Sequence, residues 1–169
     1  MSVKTRLEDI QTVPEEAKDK TFLRELYFST RYDIDRAPLD EFQKQQLKEV
    51  QFEAQYNHYK KHYSKANFDL ICDGDRPIGR LYIDVRTDEV RLIDIAIVPT
   101  YRGMGIGTKY LMKCKEIALA HNLPLRLRVE PDNPALRLYR KLGFQVIADE
   151  QVNFHMEWLP NEHRGQADD

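Results

Sequence analysis

A continuous apolar run over residues 90–98, rich in β-branched side chains, is the most prominent hydrophobic pattern in the chain. Because apolar and polar positions do not alternate strictly there, the run predicts a strand buried on both faces at the centre of a sheet. The run ends at Pro99, and a glycine-spaced turn follows. Beyond the turn, apolar side chains at helical spacing predict a helix over residues 105–120; they are Ile106, Tyr110, Cys114, Ile117 and Ala118.

Shorter β-type runs surround this central segment. Two of them flank Asp73-Gly74-Asp75 and predict an antiparallel hairpin. A strand after the helix can return parallel to the central strand through a right-handed crossover, and two further runs predict a closing hairpin. The predicted strands cover residues 3–7, 68–72, 78–85, 90–98, 124–129, 144–148 and 153–158. With the helices they predict an α/β fold, a mixed twisted sheet with helices on both faces.

Two helices are predicted in the N-terminal half of the chain. The first starts near Pro14 and has one apolar face formed by Leu23, Leu26, Tyr27 and Thr30. The second covers residues 40–63, and its apolar side chains fall on two opposite faces. One face is Leu39, Leu47, Val50 and Ala54, and the other is Phe52, Tyr56, Tyr59 and Tyr63. We favour a kink or break near Val50 that lets two shorter helices each face the core.

Length and charge limit the classes of function. A chain of 169 residues suits one domain with a sizeable core, placed at residues 1–159, with residues 160–169 as a flexible C-terminal tail. The net charge of −2, with acidic and basic residues interspersed, gives no field that would concentrate nucleic acid or an anionic membrane. No apolar run approaches the roughly 20 residues that a membrane helix needs. We therefore expect no nucleic acid and no membrane as partners.

The cysteines and histidines do not form a metal-binding pattern. Cys72 and Cys114 lie in apolar strand and helix patterns and are expected to be buried free thiols. His58 and His62 have the i, i+4 spacing of metal ligands, but no nearby Cys, Asp or Glu completes the set. We expect both histidines to be solvated and no metal to be bound. Free thiols indicate a reducing compartment, and we expect the cytoplasm.

The glycine-spaced turn is a candidate anion site. Glycines at positions 103, 105 and 107 permit positive φ and close approach of a ligand, and the helix that follows adds unpaired N–H groups. The nucleoside-triphosphate P-loop is excluded, because it needs Gly-Lys-Ser/Thr where this chain has Gly107-Thr108-Lys109. The dinucleotide fingerprint fits poorly, because it needs glycine where Thr108 or Tyr110 stands.

Two motifs in order resemble the GNAT superfamily of acyl-CoA-dependent N-acyltransferases. The first is Arg-x-x-Gly-x-Gly over residues 102–107, which follows a strand that ends at Pro99. The second is a strand over residues 125–129 followed by a tyrosine-bearing segment over residues 133–144. The resemblance covers about residues 78–158. It implies a GNAT-type fold in which the two central strands splay apart.

The resemblance also implies how an acyl-CoA is held. In the family, the pantetheine arm enters the gap between the central strands and pairs with strand backbone, here assigned to Ile95, Ala96, Ile97 and Val98. The pyrophosphate would meet backbone N–H groups of the turn, which are those of Arg102, Gly103, Met104, Gly105, Ile106, Gly107 and Thr108. The alternative is an ordinary strand-to-helix turn whose glycines only permit tight packing.

Tyr139 matches the family tyrosine that faces the CoA sulfur, which implies that it protonates the departing thiolate. It also belongs to an apolar stripe at helical spacing with Ala135, Leu138 and Leu142, so a purely structural tyrosine is the alternative. Asn133 is matched by the same motif. It would cap the short helix and could hydrogen-bond the pantetheine, with capping alone as its alternative.

The general base does not carry over from the family. Members that use a glutamate on a central strand place it where this chain has Arg91 and Arg128. Asp94 is the nearest carboxylate on the central strand and Glu130 is a second candidate, although water can also take the proton of a solvated amine. Asp94 is alternatively the structural partner of an arginine. Arg126 and Arg128 share one strand face, where they either bind an anionic group of the acceptor or pair with acidic neighbours.

The resemblance implies transfer of an acetyl group from acetyl-CoA, the co-substrate, to a primary amine of a small molecule or peptide by direct attack. The alternative is a non-catalytic acyl-CoA-binding or sensor domain, because the family glutamates are missing.

For the long helix over residues 40–63, the alternative to a break is that its aromatic face borders the acceptor cleft or the partner in a homodimer.

Overall fold

The computed structural model describes residues 5–160, which form seven strands and five α-helices. The strands are β1 (Ile10–Pro14), β2 (Asn67–Asp73), β3 (Arg76–Val85), β4 (Val90–Ile97), β5 (Leu125–Val129), β6 (Gln145–Asp149) and β7 (Phe154–Trp158). The helices are α1 (Lys20–Phe28), α2 (Tyr32–Asp35), α3 (Glu41–His62), α4 (Ile106–His121) and α5 (Ala135–Lys141). None of these described helices is long and apolar enough to cross a membrane.

The described strands form one open, mixed sheet in the order β1-β2-β3-β4-β5-β7-β6. β1 pairs antiparallel with β2, β7 pairs antiparallel with β5 and β6, and β4 pairs parallel with β5. The predicted α/β class with a mixed sheet is confirmed, and the predicted central strand is the fourth of the seven. The closing hairpin is also confirmed, and its second strand, β7, lies between β5 and β6.

The chain folds into two compact units. Within the described residues, the first unit consists of the chain up to Leu81 together with Ile95–Ile106, and the second of Tyr82–Asp94 together with the chain from Gly107 onward. Strands β3 and β4 contribute residues to both units. The single domain over residues 1–159 stays a prediction, and the predicted tail lies outside the described residues except for Pro160.

The first strand and first helix of the first unit begin later than predicted. Residues 3 and 4 lie outside the described residues, and Leu7, which is exposed, begins a 3-10 helix rather than ending a strand. The strand starts at Ile10, whose buried side chain offers the apolar anchor that residues 5–7 lack. Pro14 ends this strand, opposite Asp69 of β2, so the helix starts at Lys20 instead of near Pro14.

Helix α3 is continuous from Glu41 to His62, so the predicted break near Val50 is wrong. Asp40 caps the helix by accepting the Gln43 N–H at 2.8 Å. Only the aromatic side is buried: Phe52 is 1% exposed and its ring lies 5.7 Å from that of Tyr27, whereas Val50 is 66% exposed. A single buried stripe is enough to hold a surface helix, so the helix has no need to bend.

The aromatic side of α3 completes the core of the first unit. The buried members of this core are Leu23, Tyr27, Phe52, Leu70 and Cys72, with Phe22, Phe28 and Tyr56 packed against them. Ion pairs join the flanks of α3 to α1, between Lys20 and Glu53 and between Arg24 and Glu49. Phe52 and Tyr56 are therefore core residues of this unit.

The core of the second unit follows the predicted helix and strands. α4 buries Tyr110, Leu111, Cys114 and Ala118, while Ile117 of the predicted stripe is half-buried. Strand β5 buries alternate residues, Leu125, Leu127 and Val129, whose register partners on β7 are Trp158, Met156 and Phe154. Cys72 and Cys114 are both buried free thiols, as predicted.

The central strand β4 is buried only at its start. Val90, Arg91 and Leu92 are buried, whereas residues 93–97 are half-buried, so the prediction of burial on both faces holds for the first part alone. The parallel ladder with β5 consists of two residue pairs, Val90 with Leu125 and Arg91 with Arg126. Among the described residues no register pair joins the two strands after Arg91, which agrees with the predicted splay.

The two faces of α3 generate the first prediction. Phe52→Ala removes a buried ring and should lower the free energy of unfolding by about 3–5 kcal/mol. Val50→Ala, two residues earlier in the same helix, should change it by no more than about 0.5 kcal/mol. Urea denaturation measures both, and equal effects would contradict the orientation of α3.

Candidate functional site

The glycine-spaced turn leads directly into α4. Gly103 and Gly105 adopt positive φ values of +76° and +86°, which side-chain-bearing residues rarely adopt. Both glycines are exposed, and buried Ile106 fixes the start of the helix behind them. The first N–H groups of α4 lack partners within the helix and carry its positive partial charge. The turn therefore offers several backbone donors to an anion without side-chain obstruction.

The Arg102 side chain is already engaged within the first unit. Its Nε donates to the Ile97 carbonyl at 2.9 Å, Nη1 donates to the Tyr32 hydroxyl, and Nη2 lies 3.4 Å from Ser29 Oγ. The guanidinium thus ties the turn to the end of β4 and to the segment around α1 and α2. This arrangement leaves the backbone as the main donor set of the turn.

Gly79 on β3 was not selected by sequence analysis, although an isolated glycine in a strand pattern signals close backbone approach. A Cβ at this position would lie 2.4 Å from the Ala96 carbonyl oxygen and 2.9 Å from Ile97 Cδ1. The Val98 N–H donates to the Ile78 carbonyl at 2.8 Å. β3 therefore fixes the backbone of the predicted pantetheine-pairing residues from one side, and the Val98 N–H is occupied by this bond.

Tyr139 is 7% exposed on α5, where its ring lies 5.7 Å from that of Phe144 in an edge-on arrangement. Burial raises its pKa well above the usual range, and the nearby negative charge of Asp94 raises it further. The phenol therefore keeps its proton at neutral pH. The structure thus brings Asp94 and Tyr139, the two predicted catalytic residues, close enough for the carboxylate to influence the phenol.

The N-cap residue of the short helix is Pro134, and Asn133 precedes it. The Asn133 Oδ1 nevertheless accepts the N–H of the first helical residue, Ala135, at 2.9 Å, so the side chain does bond the helix start. The residue is exposed, so its amide N–H groups remain accessible to solvent. This geometry accounts for the bond to the helix start and leaves the second predicted role, toward pantetheine, as a prediction.

The arginines at the family glutamate positions form ion pairs. Arg91 is buried and contacts Glu89 at 3.1 Å, whereas Arg128 is exposed and contacts Glu150 at 3.3 Å. Arg126 donates to Glu157 of β7 at 2.8 Å. Of the two alternatives for Arg126 and Arg128, pairing with acidic neighbours is therefore the one present here. Asp94 is half-buried and Glu130 is exposed.

Neither a thiolate nor a metal site is assembled in the described part of the chain. Burial raises the pKa of Cys114 to about 12, and burial also raises the pKa of Cys72, so both thiols stay protonated at neutral pH. His58 and His62 are exposed with ring centroids 4.4 Å apart. No group of three or more His, Cys, Asp or Glu among residues 5–160 could hold a metal ion.

The profile of the Acetyltransferase (GNAT) family matches residues 20–144, which is most of the chain. The chain belongs to the GNAT acetyltransferase family. The match includes the glycine turn, α4, β5 and the tyrosine-bearing helix, so both motifs found in the sequence lie inside it.

Curated relatives match over shorter segments. Thialysine N-epsilon-acetyltransferase from Mus musculus is 38% identical over 80 residues, 46% of this chain and 44% of that protein. The [ribosomal protein bS18]-alanine N-acetyltransferase from Haemophilus influenzae is 33% identical over 89 residues, 50% of this chain and 58% of that protein. The chain thus spans about half the length of the curated relatives it matches.

Solved structures share the fold over nearly the whole chain. The PaiA N-acetyltransferase from Thermoplasma acidophilum, solved with coenzyme A, superposes with a TM-score of 0.69 at 19% identity, covering 89% of this chain and 98% of that one. Spermidine N-acetyltransferase from Vibrio cholerae, solved with CoA and spermine, gives 0.60 at 18% identity, covering 93% and 99%. At these identities the similarity shows the fold.

The contact at Gly79 generates the second prediction. Gly79→Ala forces its Cβ against the Ala96 carbonyl, so the free energy of unfolding should fall by about 1–3 kcal/mol. Gly107→Ala is the matched control, because its Cβ would meet Leu138 at an ordinary 3.8 Å. The control should leave stability unchanged or raise it by up to about 1 kcal/mol. Denaturant titrations compare the two variants, and a neutral Gly79→Ala would mean that β3 and β4 are not in close contact there.

Proposed function

We propose that the chain is an N-acetyltransferase that transfers an acetyl group from acetyl-CoA to the primary amine of a small molecule or peptide. The observation that carries this proposal is the buried Tyr139, whose raised pKa keeps a proton available for a leaving thiolate. The alternative is a non-catalytic acyl-CoA-binding or sensor domain, in which Tyr139 would be a structural residue only. Family membership and the fold support the same choice.

In this proposal, acetyl-CoA is held mainly by backbone. The N–H groups of the turn over residues 102–108 bind the pyrophosphate, because the turn has glycines at positive φ and an open helix start. The Arg102 N–H is excluded, because it already donates to the Pro99 carbonyl at 3.2 Å. The backbone from Ile95 to Val98 pairs with the pantetheine arm, with the Val98 N–H excluded because it already bonds Ile78. Asn133 offers its free amide N–H groups to the same arm.

The chemistry needs one bond to form and one to break. The amine nitrogen attacks the thioester carbon, and the tetrahedral intermediate collapses with cleavage of the C–S bond. The amine loses one proton, and the CoA thiolate gains one from Tyr139. Asp94 is the proposed acceptor of the amine proton, directly or through water. Its negative charge has a second effect, since it raises the pKa of Tyr139 and keeps the donor protonated.

Direct attack is favoured over an acetyl-enzyme intermediate. A covalent route through cysteine needs a thiolate, and burial keeps both Cys72 and Cys114 protonated. The acceptors named for the similar proteins, thialysine, a ribosomal-protein alanine and spermidine, all carry amines, which supports the class of acceptor and no individual one.

The two free thiols support our expectation of a cytoplasmic location. A homodimer remains an expectation, which a measurement of molecular size in solution would test.

A thiol-release assay tests the proposed function. Acetyl-CoA is incubated with the protein and a panel of polyamines, amino acids, aminoglycosides and peptide N-termini. Release of CoA that depends on both an amine and the protein is the expected result. CoA binding without release for any member of the panel would favour the non-catalytic alternative.

The backbone anion site generates the third prediction. Gly105→Val should weaken CoA binding more than Arg102→Ala does, because it adds a branched Cβ at positive φ on the donor loop. Losing the one charged side chain should cost about 1.5–3 kcal/mol at most. Gly74→Val is the control for backbone strain, since Gly74 also has positive φ and lies in the β2–β3 turn. Calorimetry measures the CoA affinity of all three variants. If folded Gly105→Val bound CoA as tightly as wild type, the phosphate site would have to lie elsewhere in the chain.

Tyr139→Phe is the fourth prediction. The ring and its contact with Phe144 remain, so packing should survive while kcat falls about 10²- to 10⁴-fold. In the wild type, the alkaline decline of kcat should begin above the ordinary tyrosine pKa of about 10, because the pKa of Tyr139 is raised. Steady-state kinetics across pH measure both effects.

Tyr27→Phe is the matched control, because Tyr27 is also buried and its hydroxyl accepts from Arg31 in the first unit. It should lower stability by about 1 kcal/mol and leave kcat unchanged. If Tyr139→Phe behaved like this control, Tyr139 would be a structural residue only.

A further inference from the structure

The parallel ladder between β4 and β5 ends at two arginines. Its last pair is Arg91 with Arg126, and the preceding residue, Val90, donates its N–H to the Pro124 carbonyl at 2.9 Å. Register partners on neighbouring strands project from the same face of the sheet, so the two guanidinium-bearing side chains leave the sheet side by side. Arg91 is only 7% exposed, so solvent screens the repulsion between the two charges poorly.

Glu89 supplies the opposite charge at this point. Its Oε1 lies 3.1 Å from Arg91 Nη2, and its Oε2 lies 3.8 Å from Arg126 Nη1. The glutamate is 5% exposed, and Arg126 is held on its other side by Glu157. One buried carboxylate therefore joins the last paired residue of β4 to the last paired residue of β5.

Charge attraction, rather than a complete hydrogen-bond network, holds this junction. Glu89 Oε2 and Arg91 Nε are buried without a hydrogen-bond partner among the described residues. Removing one member of a buried ion pair is far more costly than exchanging the whole pair for apolar groups, because the remaining charge is left uncompensated. Loss of the Glu89 charge would leave the buried Arg91 beside the half-buried Arg126, with no carboxylate between the two guanidinium groups.

We propose that Glu89 is a positioning residue that fixes the point where β4 and β5 separate and thereby sets the width of the gap for the acyl-CoA arm. The first half of this inference concerns the strands alone, and the second half rests on the proposed function. When Glu89 is neutralised, the pair of Arg91 with Arg126 separates first and the pair of Val90 with Leu125 follows. The gap that begins at Leu92 then widens, and the affinity for acetyl-CoA falls.

Amide hydrogen exchange tests the strand junction directly. In Glu89→Gln, the Val90 amide should exchange about tenfold faster or more, because its bond to Pro124 lies at the released end of the ladder. Glu150→Gln is the matched control: it removes the partner of Arg128, which lies past the end of the β4–β5 ladder, and should leave Val90 exchange unchanged. Unchanged Val90 exchange in Glu89→Gln would overturn the proposal, whether or not the chain binds CoA.

Kinetics and a rescue variant test the effect on the site. Glu89→Gln should raise KM for acetyl-CoA about tenfold, with kcat at saturation within about twofold of wild type. Glu89→Gln combined with Arg91→Gln removes the repulsion and should return KM to within about threefold of wild type. A double variant as impaired as the single one would overturn the proposal. If wild type bound no CoA, the proposed function would fail, and the exchange comparison would still decide the role of Glu89.

Discussion

Backbone N–H and C=O groups inside a sheet need partners, and the two central strands stop providing them to each other after two residue pairs. β5 keeps its other neighbour, since it pairs with β7 over all five residues from Leu125 to Val129. Among the described residues, no register pair joins β4 to β5 beyond Arg91, and the later residues of β4 are half-buried. In general, the open edge of a sheet offers backbone donors and acceptors to an extended ligand, as in β-strand addition.

Each unit supports a different part of the proposed chemistry. Within the first unit, the Arg102 side chain ties the start of the proposed anion-binding turn to the end of β4 and to the Tyr32 hydroxyl. Within the second unit, burial on α5 and the Asp94 charge both raise the pKa of Tyr139, the proposed proton donor. Binding and proton transfer thus depend on separate sets of contacts, so variants of one set should change KM and variants of the other should change kcat.

Local sequence patterns predicted the elements that depend on local physics. The central strand, the glycine turn, α4 and the two hairpins follow from hydrophobic period and turn residues over short windows. The position of β7 between β5 and β6 depends on pairing between distant segments, and no window of sequence contains it. The break assigned near Val50 was wrong because the pattern could not tell which of two apolar faces finds a partner.

The site was predicted unevenly for the same reason. The bond of Asn133 to the helix start is local and follows from the sequence, whereas the pairing of Arg126 with Glu157 joins residues 31 positions apart and does not. Gly79 is an isolated glycine within a strand pattern, which by itself indicates that another backbone approaches closely there. The bridging position of Glu89 became visible only with the register of β4 and β5, because its two arginine partners lie on different strands.

The chain has one tryptophan, Trp158, which is buried on β7 opposite Leu125, with Lys115 Nζ 5.0 Å from its ring centroid. All three residues belong to the second unit. Tryptophan fluorescence therefore reports on that unit alone, while circular dichroism records helices in both. A chain that melts as one body gives coincident curves with the two probes, and units that melt separately give curves that part. Because of where this side chain lies, comparing the fluorescence and circular-dichroism melting curves shows whether the protein unfolds as one cooperative unit or as two.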